Sequence, residues 1–271
     1  MTGERGTETG HADETVGHAD PPLDDDPTTT RPRSDDPTTT RPYAIGHRGC
    51  LAGVPENTIR AVTAAAPHVA AVEIDVRRCG SGEIVVAHDP TLDRICGVDG
   101  RVNDCSLDEL QRHGVGDTDE PIPTLRALLD ALPNRVDVNV EAKTDGIAAD
   151  VADAIRAADN DAFVSSFSAR ALAEFREVAP DVRRGLLYKR SWRRALAAAE
   201  RLDCDLLHPH AEIVDRTHLR AAEADGFQVN AWGVGDRETY ARLADLGIDG
   251  TIVDDYRIVR GADGPDVVAS D

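Results

Sequence analysis

Lysine is almost missing from this chain: of 30 basic residues only Lys143 and Lys189 are lysines, and all the others are arginine. Aromatic residues are scarce as well, at 4%. No apolar run approaches the roughly 18 residues of a membrane span, and no basic start leads into an apolar stretch. Stable membrane insertion is therefore not expected, and the cytoplasm is the expected compartment. The five cysteines, Cys50, Cys79, Cys96, Cys105 and Cys204, are scattered, odd in number and without a C-x-x-C pair. That excludes a disulfide framework and a zinc knuckle. A basic surface is lacking too. With 50 acidic residues and a formal charge of −20, the surface as a whole repels nucleic acid and anionic lipid. An acidic, lysine-poor, Asp-rich composition is that of a protein kept soluble at very high salt, where the screening length falls to about 3 Å. A halophilic source is the expectation.

What is present falls into two kinds of sequence. Residues 1–42 are rich in Asp, Thr, Pro and Gly, and they repeat themselves: GHAD occurs at residues 10–13 and 17–20, DDPTTTRP at 25–32 and 35–42. So few large apolar side chains do not offset the entropy of ordering the chain, and a disordered acidic tail is expected. From residue 43 onward, short β-branched runs alternate with alanine-rich stretches of helical spacing. Strands are expected at 44–46, 71–76, 136–141, 162–165, 185–187, 205–207, 228–232 and 250–253. Helices are expected at 58–66, 125–132, 146–158, 169–178, 192–202, 216–224 and 237–246. A hairpin of 76–78 with 83–87 turns on Gly80-Ser81-Gly82. Eight strands separated by seven helices describe an α/β fold, a (β/α)8 TIM barrel. It is expected as one domain over 43–260 with a short insertion after the second strand, followed by a short C-terminal tail, 261–271.

In such a barrel the chemistry collects at the C-terminal ends of the strands. His47-Arg48-Gly49 follows the first expected strand, Glu73 and Asp75 lie two apart on the second, and His88-Asp89 closes the hairpin. Glu141 and Lys143 end the third, Trp232 ends the seventh and Asp254 follows the eighth. Acids inside apolar strands such as Ala71-Val72-Glu73-Ile74-Asp75-Val76 need a reason. Three oxygen donors, Glu73, Asp75 and Glu141, suit one hard divalent ion, Mg2+ or Ca2+; the alternative is three separately paired carboxylates. His47 and His88 are candidates for proton transfer near neutrality. His208 and His210 follow the sixth strand and are candidates for the same mouth, whereas His68, His113 and His218 are read as structural. Arg48 offers a planar fork to a phosphate oxygen. Lys143 is either a phosphate ligand or a partner for Glu141.

Gly46-His47-Arg48-Gly49, then Pro55-Glu56-Asn57-Thr58, Glu73-Ile74-Asp75-Val76, His88-Asp89 and Glu141-Ala142-Lys143 together resemble the glycerophosphodiester phosphodiesterase family. The resemblance continues through Pro121–Leu125, Val164–Ser168, Val229–Trp232 and Gly247–Gly250, and so covers residues 43–257. It implies the barrel, a divalent metal, and hydrolysis of small glycerophosphodiesters to glycerol phosphate and an alcohol. By position it makes Glu73, Asp75 and Glu141 metal ligands and His47 and His88 the general acid/base pair. Arg48 and Lys143 become phosphate-binding, and Asn57 and Trp232 substrate-side positions. Residues 90–120 correspond to the family's variable insertion. Two departures stand out: Gly233-Val234 follows Trp232 where the family usually has Thr-Val, and little chain remains after Asp255 for an eighth helix. The rival readings are a phospholipase-like diesterase acting on intact lipids and a barrel that binds glycerophosphate without turnover.

Overall fold

A computed structural model describes residues 41–50 and 53–259; the expected tails, 1–42 but for its last two residues and 261–271, lie outside the described residues. The strands are β1 (Tyr43–His47), β2 (Ala71–Arg78), β3 (Ile84–Val86), β4 (Asp137–Ala142), β5 (Ala162–Ser166), β6 (Arg184–Tyr188), β7 (Leu206–Pro209), β8 (Gln228–Val234) and β9 (Gly250–Val253). The helices are α1 (Ile59–Ala65), α2 (Asp93–Cys96), α3 (Leu107–Leu110), α4 (Leu125–Ala131), α5 (Ala148–Arg156), α6 (Ala169–Val178), α7 (Trp192–Arg201), α8 (Arg216–Ala224) and α9 (Arg237–Leu246). All strands but β3 pair in parallel, and β1 bonds to both β2 and β9, so eight of them close into the expected barrel. β3 runs antiparallel to β2 as the expected hairpin. Among the described residues no helix is long and apolar enough to cross a membrane.

The two-residue alternation of strands sorts the barrel wall. On β2, Val72, Ile74 and Val76 pack outward against the helices, as do Val138, Val140 and Ala142 on β4. The other parity faces inward. Ile45, Ala71, Phe163, Leu206 and Ile252 fill the lumen with an apolar layer, and above it the same parity brings Glu73, Asp75 and Glu141 to the mouth. Local signals start the helices where the chain must turn back: Thr58, Thr124, Ser168, Asp215 and Asp236 each accept a bond from a backbone N–H of the following first turn. Each such cap contributes about 1 kcal/mol.

Among the described residues after β9, the chain makes a 3-10 turn, Tyr256–Ile258. The segment after β3 is more structured than its sequence suggests. It holds α2, a 3-10 turn at Val102–Asp104 and α3 around its own small core of Val85, Leu92, Ile95, Val102, Leu110 and Ile122.

Candidate active site

Eight of the nine residues singled out in the sequence converge at one side of the barrel mouth. Pairing of β2 with β4 sets Asp75 beside Glu141. One ligand oxygen each from Glu73, Asp75 and Glu141 lies within 4.8 Å of the others, and all three residues are buried. Lys143 Nζ stands 2.9 Å from Asp75 Oδ1 and also contacts Glu141. Arg48 Nε lies 3.0 Å from Asp75 Oδ2, while its Nη1 donates to Glu56 Oε1 at 3.0 Å. Asn57 closes a reciprocal pair with Asp75, donating from Nδ2 to Oδ2 at 2.9 Å and accepting the Asp75 N–H at 3.1 Å.

The turn that carries His47 and Arg48 is held in a costly backbone shape. Arg48 and Asn57 have φ of 53° and 59°, in the left-handed region that side chains other than glycine avoid. Gly49, with φ of 94°, is required: a Cβ there would stand 2.5 Å from that of Ala61. The Arg48 N–H donates to Glu73 Oε2 at 3.1 Å, so the turn is tied to the acidic cluster through main chain and side chain alike.

Both histidines are oriented through the same ring atom. His47 Nδ1 lies 2.7 Å from Asp254 Oδ1, and His88 Nδ1 lies 2.5 Å from Asp89 Oδ1. A carboxylate only accepts, so Nδ1 carries the proton in each ring and Nε2 is left for other work. His47 Nε2 is 3.9 Å from Glu73 Oε2. Arg77 fixes the His88 backbone by donating to its carbonyl at 3.0 and 2.7 Å.

Electrostatics fit the donor set to a cation. Burial, then repulsion from Asp75 and Glu141, raises the Glu73 carboxyl well above the usual carboxylate range. Burial and Asp75 raise Glu141, and Lys143 opposes them. Burial works upward on Asp75 as well, but Lys143 and Arg48 outweigh it and hold this carboxyl low. Glu73 Oε1 is buried without a hydrogen-bond partner, an arrangement that costs free energy unless something pairs with it. With all three carboxyls ionised, they exceed the charge of Arg48 and Lys143 by one negative charge. A divalent ion would turn that into one positive charge, which the single charge of a phosphodiester cancels. The residues present therefore fit a hard divalent cation.

Not every candidate joins this cluster. His88 does so by lining a small cavity together with Glu56 and Asn57. Trp232 does not: it stands on β8 against the lumen layer, beside His210. His208, expected with His210 at the mouth, lies one layer deeper and is 0% exposed; burial pushes it down to about 3. His68 stacks on Tyr256 and His218 meets Trp192 edge-on, in keeping with structural roles. The positioning acids Asp89 and Asp254 were visible in the sequence only as neighbours of a histidine and of a strand end. Arg94 gave no signal at all. It sits on α2, bonds Asp89 and Glu56, and so links the partner of His88 to the partner of Arg48. Its partner Glu56 is 38 positions away.

Comparison with known proteins identifies the family. The model of the glycerophosphoryl diester phosphodiesterase family matches residues 47–257. A glycerophosphodiester phosphodiesterase of Caldanaerobacter subterraneus subsp. tengcongensis is 31% identical over 230 residues, covering 78% of this chain and 93% of that protein. An Oleispira antarctica phosphodiesterase, solved in complex with the product sn-glycerol-3-phosphate, superposes with a TM-score of 0.73 at 27% identity, covering 80% of this chain and 95% of that one. A Thermotoga maritima glycerophosphodiester phosphodiesterase gives a TM-score of 0.71 at 27% identity, over 80% and 96% of the two chains. With its barrel, its acidic cluster and a match along most of its length, the chain belongs to the glycerophosphoryl diester phosphodiesterase family and is a phosphoric diester hydrolase.

Proposed function

We propose that the chain hydrolyses small glycerophosphodiesters to glycerol phosphate and an alcohol, using His47 and His88 as general acid and base beside one divalent ion, Mg2+ or Ca2+. The observation that carries this reading is the pair of carboxylate-anchored histidines, both held through Nδ1, next to the buried triad. Glu73, Asp75 and Glu141 would hold the ion. When bound, such an ion polarises a phosphoryl oxygen and so lowers the charge barrier to attack. Arg48 and Lys143 face the same space and stabilise the charge that builds on the phosphoryl oxygens. One histidine takes the proton of the attacking hydroxyl, from water or from the neighbouring glycerol carbon. The other delivers a proton to the leaving alcohol, and where the glycerol hydroxyl attacks, water then opens the cyclic phosphate to glycerol phosphate. Asp254 and Asp89 keep each Nδ1 protonated, so that Nε2 does the transfer. Asn57 holds Asp75 in place, and Trp232 stands on the substrate side of the mouth.

Large exposed apolar side chains among the described residues are Phe167 and Val178, too few to dock a bilayer, so deacylated diesters rather than whole lipids are the substrates of this reading. The five free cysteines suit a reducing compartment such as the cytoplasm, and the charge of −20 suits a halophilic setting. The test is release of glycerol phosphate from glycerophosphocholine, glycerophosphoethanolamine and bis(glycero)phosphate, with Mg2+ or Ca2+ present, in 0.1 M and 2 M KCl. Turnover should be greater at 2 M. Both His47→Ala and His88→Ala should lower kcat about 100-fold or more. Unchanged kcat in either variant rejects its assignment as acid or base. No turnover by folded wild type rejects the substrate class.

A further inference from the structure

The mouth of the barrel has two chemically different halves. The acids, Arg48, Lys143 and His47 stand at the ends of β1, β2 and β4. On the other side the ends of β5 to β8 bring up Phe167, Lys189, His210 and Trp232. Trp232 is fixed by its Nε1, which donates to the His208 carbonyl at 3.1 Å. Two rings meet it edge-on: His210 at 4.6 Å and 87°, Phe167 at 5.5 Å and 89°. Phe167 is 48% exposed, an apolar ring left open at the mouth. His210 has its seat because Gly233 follows Trp232. With φ of 76° there, a Cβ would stand 2.9 Å from His210 Nε2. This is the position at which the sequence departs from the family's Thr-Val.

Over the Trp232 ring sits Lys189, its Nζ 5.2 Å from the centroid. It is exposed, and no carboxylate of the described residues pairs with it, although acids outnumber bases 50 to 30 in the chain. It is also one of only two lysines, the other being Lys143 in the acidic half. An ammonium over an indole face is attracted by the ring quadrupole. The same face is where a quaternary ammonium head group would stack, and here a cation of the protein already occupies it.

We infer that Lys189, seated on Trp232, selects the alcohol arm of the diester by charge, favouring anionic head groups and disfavouring quaternary ammonium ones. This rests on the diesterase reading above. In that reading the acidic half of the mouth engages the phosphate and the glycerol hydroxyl. The arm left over reaches across to β5–β8, where it meets the lysine-capped ring. An anionic group there finds an ammonium without a competing carboxylate. A cationic group meets like charge and a ring face already covered.

Two substrate pairs test the charge: glycerophosphoinositol against its 4-phosphate, and, matched in shape, glycerophosphocholine against the uncharged 3,3-dimethylbutyl diester. They are compared by kcat/KM in 0.1 M KCl, where the screening length is about 10 Å. Wild type should favour the 4-phosphate over glycerophosphoinositol by about threefold, the size of an exposed ion pair. It should also favour the dimethylbutyl diester over glycerophosphocholine. Lys189→Ala should erase the first preference and reverse the second by uncovering the ring, and Lys189→Glu should invert both. Ratios that Lys189→Ala and Lys189→Glu leave unmoved overturn the inference while the diesterase reading stands. Absence of turnover on all four diesters overturns that reading, and the inference with it.

Discussion

Glu73 and His208 are two buried titratable side chains whose states are set by opposite needs. Glu73 is 2% exposed, faces two further carboxylates and keeps an unpartnered oxygen, so its ionised form calls for a cation. His208 is 0% exposed, with Asn230 Nδ2 3.3 Å from its Nε2, so its neutral form is the stable one. Its folded-state value of about 3 lies below the value of about 6.5 for an unfolded chain. Between those values the unfolded chain binds a proton that the folded chain does not. Stability is therefore intact above pH 6.5 and is lost as pH falls toward 3, by about 1.4 kcal/mol per unit from this group. His208→Gln should flatten the pH dependence of the urea-unfolding free energy between pH 6 and 4 by up to one proton. A slope equal to that of wild type would show that His208 does not set it. The sequence placed His208 and His210 together because both follow the expected sixth strand, 205–207. It gives no depth, and two residues along a strand are about 6.6 Å, enough to move a side chain from the mouth into the lumen.

At the scale of elements, most barrel strands were legible as short apolar runs, β2 and β4 with acids at one parity, and α4 to α9 because alanine-rich stretches repeat at helical spacing. The segment between β3 and α4 was not. Its helices α2 and α3 have four residues each, too short for a periodic signal, and are held by the small core around Leu92 and Leu110. Yet α2 supplies Arg94, whose guanidinium bridges Asp89 and Glu56. Through them it positions His88 and Arg48 at once. Arg94 is 50% exposed, so removing it should leave the barrel folded. Arg94→Ala is expected to lower kcat about tenfold and to shift the pH–rate profile as His88 loses its anchored partner. Arg94→Lys should rescue only part of this, since an ammonium lacks the planar fork that spans two carboxylates. Rates and profile equal to wild type in Arg94→Ala would reject the positioning role.

Over the whole molecule, the site is assembled from residues that no local window joins: His47 and Asp254 are 207 positions apart, Asn57 and Asp75 18. Closure of the barrel between β1 and β9 brings the first pair together, and the reciprocal side-chain bonds secure the second. The residue types of the site could be read from motifs; the charge balance at its centre could not, because it depends on which cations face the three acids. That balance, one negative charge when all three carboxyls are ionised, is the core of the proposal: a divalent ion held there would reverse it, and the single charge of a phosphodiester would then neutralise it. The most direct test is calorimetric titration of chelator-stripped protein with Mg2+ or Ca2+, with turnover of bis(glycero)phosphate measured on the same samples, for wild type and Glu73→Gln. The account predicts one bound ion per chain, activity that returns in step with occupancy, and a rise in unfolding free energy of about 2.7 kcal/mol at 100 times the dissociation constant. Glu73→Gln should fold and lose both binding and activity. Full turnover in the stripped wild type, or ion binding and activity in Glu73→Gln equal to wild type, would contradict it.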